Sequence, residues 1–380
     1  MSRISNANFR VLVTGANGFI GKNLIVRLSE LTNVSVVTFT RGDDVAVLPE
    51  LVSRVDAVVH LAGENRPADE AAFAQVNTGL TAELCKSIRQ VLQSSGRNVP
   101  LVLASSTQAE RDNPYGRSKL AAESEVQKLA QQTGNPCVIF RLPGVFGKWC
   151  KPNYNSVVAT FCHNIARNLP IQISDPTATL RLTYVDDVVS ALLGALESPE
   201  AGCVQAQVEP EYSTTLGELT TKIRAFGDCR TTLLTERVGS GLVRALYATY
   251  VSYLPPEKFS YEVTQHADAR GVFVEMLKTP DSGQFSYFTA HPGITRGGHY
   301  HHTKTEKFLV IKGDALFRFR HLITNELIEL RTSSGTAQVV DTIPGWTHDI
   351  TNIGDEEMVV MLWANENFDR NKPDTVAGKV

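Results

Sequence analysis

The 380-residue chain has no apolar run near the ~20 residues that a membrane-spanning helix needs. It has little excess charge of either sign: the formal net charge is −3, which leaves no basic field for nucleic acid. The N-terminus, Met1-Ser-Arg-Ile-Ser-Asn-Ala7, has no apolar signal core. The six cysteines (85, 137, 150, 162, 203 and 229) show no Cys-x-x-Cys spacing, which fits reduced, mostly buried thiols. Nucleic acid and membrane are thus excluded as expected partners, and a cytoplasmic location is expected. What remains is 42% hydrophobic and 20% charged, the composition of a soluble globular protein. It is too long for one ordinary core, so two domains are expected.

Val11–Val13 reads as a buried parallel strand. Gly15, Gly18 and Gly21 follow at three-residue steps, and Leu24, Ile25 and Leu28 then repeat at helical spacing. A strand–turn–helix of this kind points backbone N–H groups at a helix N-terminus, where a pyrophosphate sits. A side chain at Gly15 is expected to collide with the turn and one at Gly18 with the phosphates, while Gly21 lets the helix lie close to the strand. Asn17, Phe19 and Ile20 belong to the same dinucleotide-binding turn. A second strand, Val34–Phe39, runs out in Thr38-Phe39-Thr40-Arg41 with no acid to hold a ribose 2′-hydroxyl. Arg41 falls where a 2′-phosphate would lie; the other reading is a solvated turn arginine. The balance favours NADPH over NADH. Asp56–Gly63 is the next strand and its exit loop, which brings Leu61, Ala62 and Gly63 near the cofactor, with His60 read as structural. A helix is expected over about 68–92, carrying Asn77, a residue usually solvated when isolated on a helix.

Leu101–Thr107 is another buried strand, ending in three hydroxyls. Tyr115 and Lys119 then open a helix four residues apart, so both project from one face. A lysine ammonium near a phenol is expected to lower its pKa from ~10 toward neutrality, making Tyr115 an acid for an alkoxide. A strand-end serine can hold the carbonyl oxygen in line. Two helices are expected at 216–226 and about 238–250, and Pro255-Pro256 marks a boundary between domains 1–255 and 256–380.

Beyond residue 256 helical patterns stop. Short strands with turn signals take over, near 271–276, 284–288, 307–311, 315–319, 338–340 and 358–363, which indicates an all-β sandwich or barrel. Six of the nine histidines lie beyond residue 290. His299 and His301 share a strand face, and Glu306 and His348 follow. Three imidazoles and a carboxylate suit a divalent first-row metal, whose identity spacing alone does not fix.

Thr14-Gly-Ala-Asn-Gly-Phe-Ile-Gly21, the Ser105/Ser106 pair, Tyr115…Lys119, Arg141-Leu-Pro-Gly-Val-Phe-Gly147 and Arg181-Leu-Thr-Tyr-Val-Asp-Asp187 resemble the extended short-chain dehydrogenase/reductase family. The resemblance implies an α/β Rossmann-type N-terminal domain. It puts the catalytic hydroxyl on Ser106, with Thr107 the alternative, a relay-supporting role on Asn77 and a diphosphate contact on Arg181. Lys148–Ser156 falls where substrate loops lie in that family. Asn153, Asn155 and Ser156 are there candidates for hydrogen bonds to a sugar, against an ordinary solvated loop. Pro143-Gly144 departs from the asparagine that many members carry, which leaves that asparagine's substrate contact open here.

Gly293, His299, His301, Glu306 and Gly313, with Gly345, His348 and Asn352, resemble the cupin motifs, which implies ligand roles for His299, His301, Glu306 and His348. A reductase fused to a cupin is similar to the bifunctional capsule and O-antigen enzymes of the CapF/WbjC type. That resemblance implies a homodimer using NADPH and zinc on a UDP-linked 4-keto-6-deoxy amino sugar. The cupin would invert C3 and the reductase would then reduce C4. Tyr300, His302 and Lys304 stay open as acid or base for the inversion. Two alternatives are a plain NADPH-dependent ketosugar reductase with a structural cupin, and a non-enzymatic cofactor-sensing scaffold.

Overall fold

The computed structural model describes residues 8–66, 69, 71–371 and 373–380. The chain divides into two compact units. The first runs to Thr221 and takes back Ala245–Leu254; the second holds Lys222–Arg244 and Pro255–Val380. Residues 222–244 thus group with the second unit although they precede residue 255. They are tied there by backbone: Thr235 N donates to Lys278 O and Lys278 N donates to Leu233 O, both at 2.8 Å.

In the first unit β1 (Phe9–Thr14), β2 (Val34–Phe39), β3 (Ala57–His60), β4 (Leu101–Ser106) and β5 (Cys137–Leu142) join β8 (Cys203–Ala206) in a parallel sheet, ordered β2-β1-β3-β4-β5-β8. Their near-continuous apolar runs are those of strands covered on both faces. Successive residues feed opposite cores. Val11, Val13 and Val102 meet α1 (Phe19–Ser29) and α6 (Val185–Glu197) on one face. Leu12, Leu101 and Leu103 meet α2 (Leu48–Ser53), α3 (Leu80–Ser95) and α4 (Pro114–Thr133) on the other. The strand order reverses between β1 and β3, so a crevice opens at their carboxyl ends. A smaller sheet holds β6 (Gly144–Phe146), β7 (Thr179–Tyr184) and β9 (Tyr212–Thr215). Helix α5 (Val157–Ala166) belongs to this unit, and α7 (Leu216–Thr232) and α8 (Gly241–Ser252) each have residues in both units.

The helix expected over 68–92 differs in two ways. Residues 67, 68 and 70 lie outside the described residues, and Phe73–Gly79 winds as a wider π-type turn before α3 begins. Such turns recur at functional sites. This one carries Asn77, which is buried rather than solvated.

Beyond residue 255 the strands of the second unit form antiparallel sheets. One sheet runs β10 (Gln265–Asp268), β11 (Gly271–Lys278), β12 (Gln284–Ala290), β19 (Met358–Ala364), β14 (Glu306–Lys312), β17 (Val339–Asp341). The other runs β16 (Leu327–Ser333), β15 (Asp314–His321), β18 (Trp346–Asn352), β13 (Thr295–Tyr300), β20 (Val376–Ala377). Alternate residues of both sheets, among them Phe288, Phe308, Phe317, Ile350 and Val360, form one core between them.

Candidate active site and metal centre

The carboxyl edge of the parallel sheet is shaped by glycines. Gly15 has φ +68°, and a Cβ there would lie 2.6 Å from the Ala62 amide nitrogen. The collision is therefore with the exit of β3, not with the turn itself. Gly18 caps α1 with no side-chain hydrogen bond, and a Cβ at Gly21 would overlap the Gly15 carbonyl oxygen. Bare backbone N–H groups thus head α1 beside Leu61–Gly63, a cradle that a dinucleotide phosphate fits.

A closed chain of hydrogen bonds fixes the β3 exit. Thr81 Oγ1 donates to Asn77 O (2.6 Å), so it accepts from His60 Nε2 (2.8 Å). His60 Nδ1 then accepts from Thr14 Oγ1 (2.6 Å), which accepts in turn from Leu61 N and Ala62 N, both at 3.2 Å. His60 is fully buried, and burial followed by the Lys119 charge lowers its pKa to about 3, so the ring is neutral. Asn77 holds the next residues: it accepts from Glu64 N (2.8 Å) and donates to Glu64 O (3.0 Å) and Ser118 Oγ (2.9 Å). A Cβ at Gly63 would sit 3.1 Å from Asn77 Oδ1 and 3.7 Å from Lys119 Nζ.

The β4 end and the start of α4 meet through a second glycine. Asn113 caps α4 by accepting from Gly116 N (2.8 Å), and a Cβ at Gly116 would overlap the Gln108 and Arg111 carbonyl oxygens. That close approach brings Tyr115 to Ser106. Burial raises the Tyr115 phenol above its usual pKa, and a hydrogen bond with the Ser106 hydroxyl draws it part-way back. Lys119 Nζ donates to Ala104 O at 2.8 Å; burial lowers its pKa to about 8 against the opposing pull of Glu123. The expectation that Lys119 lowers the Tyr115 pKa is therefore not met here, because burial dominates both groups. Ser105 is committed elsewhere, donating to Glu123, whose carboxylate also pairs with Arg141 at 2.6 Å.

In the second unit a β-bulge builds the cluster. Between β13 and β18 the register slips after Gly297↔Asp349, so that His299 comes opposite His348. Gly297 (φ +93°) and Gly298 (φ +76°) permit the slip. Ligand atoms of His299, His301, Glu306 and His348 all lie within 4.8 Å of one another. Glu306 comes from one sheet, His299 and His348 from the other, and His301 directly follows β13. Glu306 Oε2 lies 3.3 Å from His301 Nε2 and 3.6 Å from His348 Nε2, and Lys304 Nζ is 2.9 Å from Oε1. Burial opposes ionisation of Glu306, yet His301, His348 and Lys304 hold its carboxyl well below the carboxylate range. Burial, then the neighbouring His348, lowers His299 to about 4. Both ring nitrogens of His348 are buried with no hydrogen-bond partner. Buried polar atoms are rarely left so, and a cation at this point would satisfy the lone pair that faces Glu306. A cavity of about 150 Å³ adjoins His299, Glu306 and His348, walled by Phe273, Phe308 and Leu362.

Comparison with known proteins agrees with both units. Residues 11–208 match the NAD dependent epimerase/dehydratase family, and residues 266–376 match the polysaccharide biosynthesis C-terminal domain. The UDP-2-acetamido-2,6-beta-L-arabino-hexul-4-ose reductase of Pseudomonas aeruginosa is 56% identical, over 98% of this chain and 99% of that protein. The crystal structure of the capsular polysaccharide assembling protein CapF from Staphylococcus aureus superposes with a TM-score of 0.87, at 42% identity, covering 97% of this chain and 100% of that one. This chain belongs to the CapF-type family. UDP-glucuronic acid 4-epimerase from Bacillus cereus, at 18% identity and a TM-score of 0.53 over 64% of this chain, shares only the first unit's type of fold.

The CapF-type chain does not assemble every residue singled out from sequence. Arg181 is exposed and forms a two-point ion pair with Glu211, so a diphosphate would have to displace that carboxylate. Ser156 caps α5, accepting from Ala159 N at 3.3 Å, which uses a lone pair of its hydroxyl oxygen. Asn153 (φ +53°) donates its N–H to Thr160 Oγ1 at 2.9 Å, and Asn153 and Asn155 both remain exposed. Arg41 is exposed and pairs with Glu64 at 2.6 Å, while Asp43 is turned back onto the Thr40 amide at 2.7 Å. Asn352 anchors the cupin-like turn through Ala290 O (2.9 Å) and Glu356 O (2.7 Å). Sequence reasoning passed over Gly116, although a glycine between the paired Tyr115 and Lys119 was a readable sign of close packing.

Proposed function

We propose that the second unit inverts C3 of a UDP-2-acetamido-2,6-dideoxy-4-hexulose and that the first then reduces C4 with NADPH. The product is UDP-2-acetamido-2,6-dideoxy-L-talose, on the route to UDP-N-acetyl-L-fucosamine for surface polysaccharide. The reading includes zinc as the metal, a homodimer and a cytoplasmic location. It rests on the name and 56% identity of the Pseudomonas aeruginosa relative. The observation that carries its epimerase half is the partnerless pair of nitrogens on His348 beside Glu306. Three histidines and a carboxylate are a donor set zinc takes.

The chemistry follows from where the groups sit. A proton beside a ketone is acidic only if charge on the oxygen is stabilised, which a bound divalent metal supplies. His299, His301, Glu306 and His348 would hold that metal. Of the three open acid–base candidates, Lys304 alone is buried with them; Tyr300 and His302 pack on each other, ring centroids 5.5 Å apart, with His302 exposed. In the first unit Gly15, Asn17, Gly18, Phe19, Ile20 and Gly21, with Leu61–Gly63, would hold NADPH, which supplies the hydride for C4. Tyr115 gives its proton to the C4 oxygen, which Ser106 orients. Burial keeps Tyr115 protonated at neutral pH, the state an acid for reduction needs. A 2′-phosphate offers Arg41 more charge than Glu64 does, which favours NADPH.

The test is to incubate the protein with the 4-keto sugar nucleotide in deuterated water, with and without NADPH, and to read the sugar by NMR. Deuterium at C3 without NADPH, and a reduced 6-deoxy sugar only with it, is the expected result. Reduction with no exchange at C3 would leave a plain reductase.

A further inference from the structure

We propose that the segment 374–378 is a clamp on the second unit's metal centre, with Asp374 as its positioning residue. The inference rests on the metal reading above and adds a part that none of the four ligand positions contains.

Asp374 acts through two kinds of contact. Its backbone carbonyl oxygen accepts a hydrogen bond from His301 Nδ1. A carbonyl oxygen can only accept, so Nδ1 carries the proton and Nε2, which faces Glu306, is the nitrogen left for a metal. Its carboxylate accepts from three consecutive backbone amides, those of His302 (2.9 Å), Thr303 (2.7 Å) and Lys304 (2.8 Å), and from the Thr303 hydroxyl (3.0 Å). The turn between His301 and Glu306 is therefore moulded around one carboxylate. That turn also sets Lys304, whose Nζ reaches Glu306 Oε1.

The residues that follow extend the grip. In β20, Ala377 pairs with His299 and Val376 with Tyr300, and Gly378 N donates to Gly298 O at 2.9 Å. Two ligands and the bulge between the glycines are thus laced to a segment more than seventy positions away in sequence. The lacing is close: a Cβ at Gly378 would lie 3.0 Å from Thr347 Oγ1 and 3.4 Å from Tyr300 Cδ1. Gly378→Val should lift the segment without touching a ligand or Asp374.

The experiment loads full-length protein with Co²⁺, whose visible bands report ligand geometry, and measures affinity by chelator competition. NADPH binding to the first unit is measured on the same samples as a fold control. Asp374→Ala keeps the carbonyl beside His301 but loses the carboxylate that shapes the turn; it should weaken Co²⁺ binding by about 10-fold, the low end of the range for an outer partner of a metal ligand, and shift the bands. Asp374→Asn keeps one acceptor oxygen and should fall between Ala and the parent. Gly378→Val should weaken binding in the same sense, and a chain ending at Pro373, which also loses the carbonyl, should weaken it most. Unchanged affinity and bands in Asp374→Ala and in the shortened chain would overturn the clamp. So would an Asn variant no better than Ala with NADPH binding lost in both, since that is general unfolding. A parent protein that binds no Co²⁺ would overturn the metal reading itself, and the clamp with it.

Discussion

Around the glycine turn the chain partners its own polar side chains, whereas around His348 it does not. His60 is closed on both sides by threonines, Asn77 makes three hydrogen bonds and Lys119 rests on a carbonyl. What the first unit leaves open is backbone: the N–H groups at the head of α1, which no side chain caps, while Gly15 and Gly21 let strand, turn and helix close on one another. The second unit leaves open an electrostatic demand: three imidazoles gathered on one carboxylate, with two nitrogens of His348 lacking a hydrogen-bond partner. The phosphates of a dinucleotide suit the first arrangement, and a small cation suits the second. A site's polar side chains can thus be finished by the protein, leaving a backbone mould for the ligand, or left unfinished for the ligand to complete.

The comparison can be broken from either side. Tyr115→Phe removes the proton donor of the finished site and should cut NADPH oxidation by about 10²–10⁴-fold, measured in steady state with the 4-keto substrate. Stripping the metal should act only on the unfinished site. With metal a thousandfold above its Kd the second unit should melt with about 4 kcal/mol more stability than without, seen as a shift in one calorimetric transition and not the other. A smaller effect sharpens the claim that His60 is neutral. Its pKa is about 3 when folded against 6.5 when not, so the unfolded chain binds more protons between those values. Stability should therefore fall as pH drops from 6.5 toward 3, by about 2 kcal/mol from this residue between pH 6.5 and 5. Urea unfolding of the parent against His60→Gln should show that part of the slope vanish. The smallest effect is at the rim of the mould: Arg41→Ala should raise the KM for NADPH about tenfold and leave that for NADH nearly unchanged.

The two sites were also legible to different degrees. The four candidate ligands stood out because strand alternation puts His299 and His301 on one face, and that geometry survives in spacing. The bulge that sets His299 opposite His348 was not legible, since Gly297-Gly298 alone does not say which strand it faces. In the first unit the glycines, Tyr115 and Lys119 were readable as a motif. The partners of His60 and Asn77 were not, because a buried hydrogen-bond chain depends on which threonines the neighbouring strand and helix bring to it. The settings of Ser156 and Arg181 were hidden for a related reason: a cap and an ion pair look like free polar groups until their partners, Ala159 N and Glu211, are placed. The pull on Tyr115 was judged from Lys119 alone, and burial, which sequence spacing does not reveal, outweighed it.

The most direct test of two separate chemistries is deuterium wash-in at C3 of the 4-keto sugar nucleotide by Tyr115→Phe and by His348→Ala, without NADPH. The account predicts exchange at the parent rate in the first variant and none in the second. Loss of exchange in Tyr115→Phe, or full exchange in His348→Ala, would contradict it.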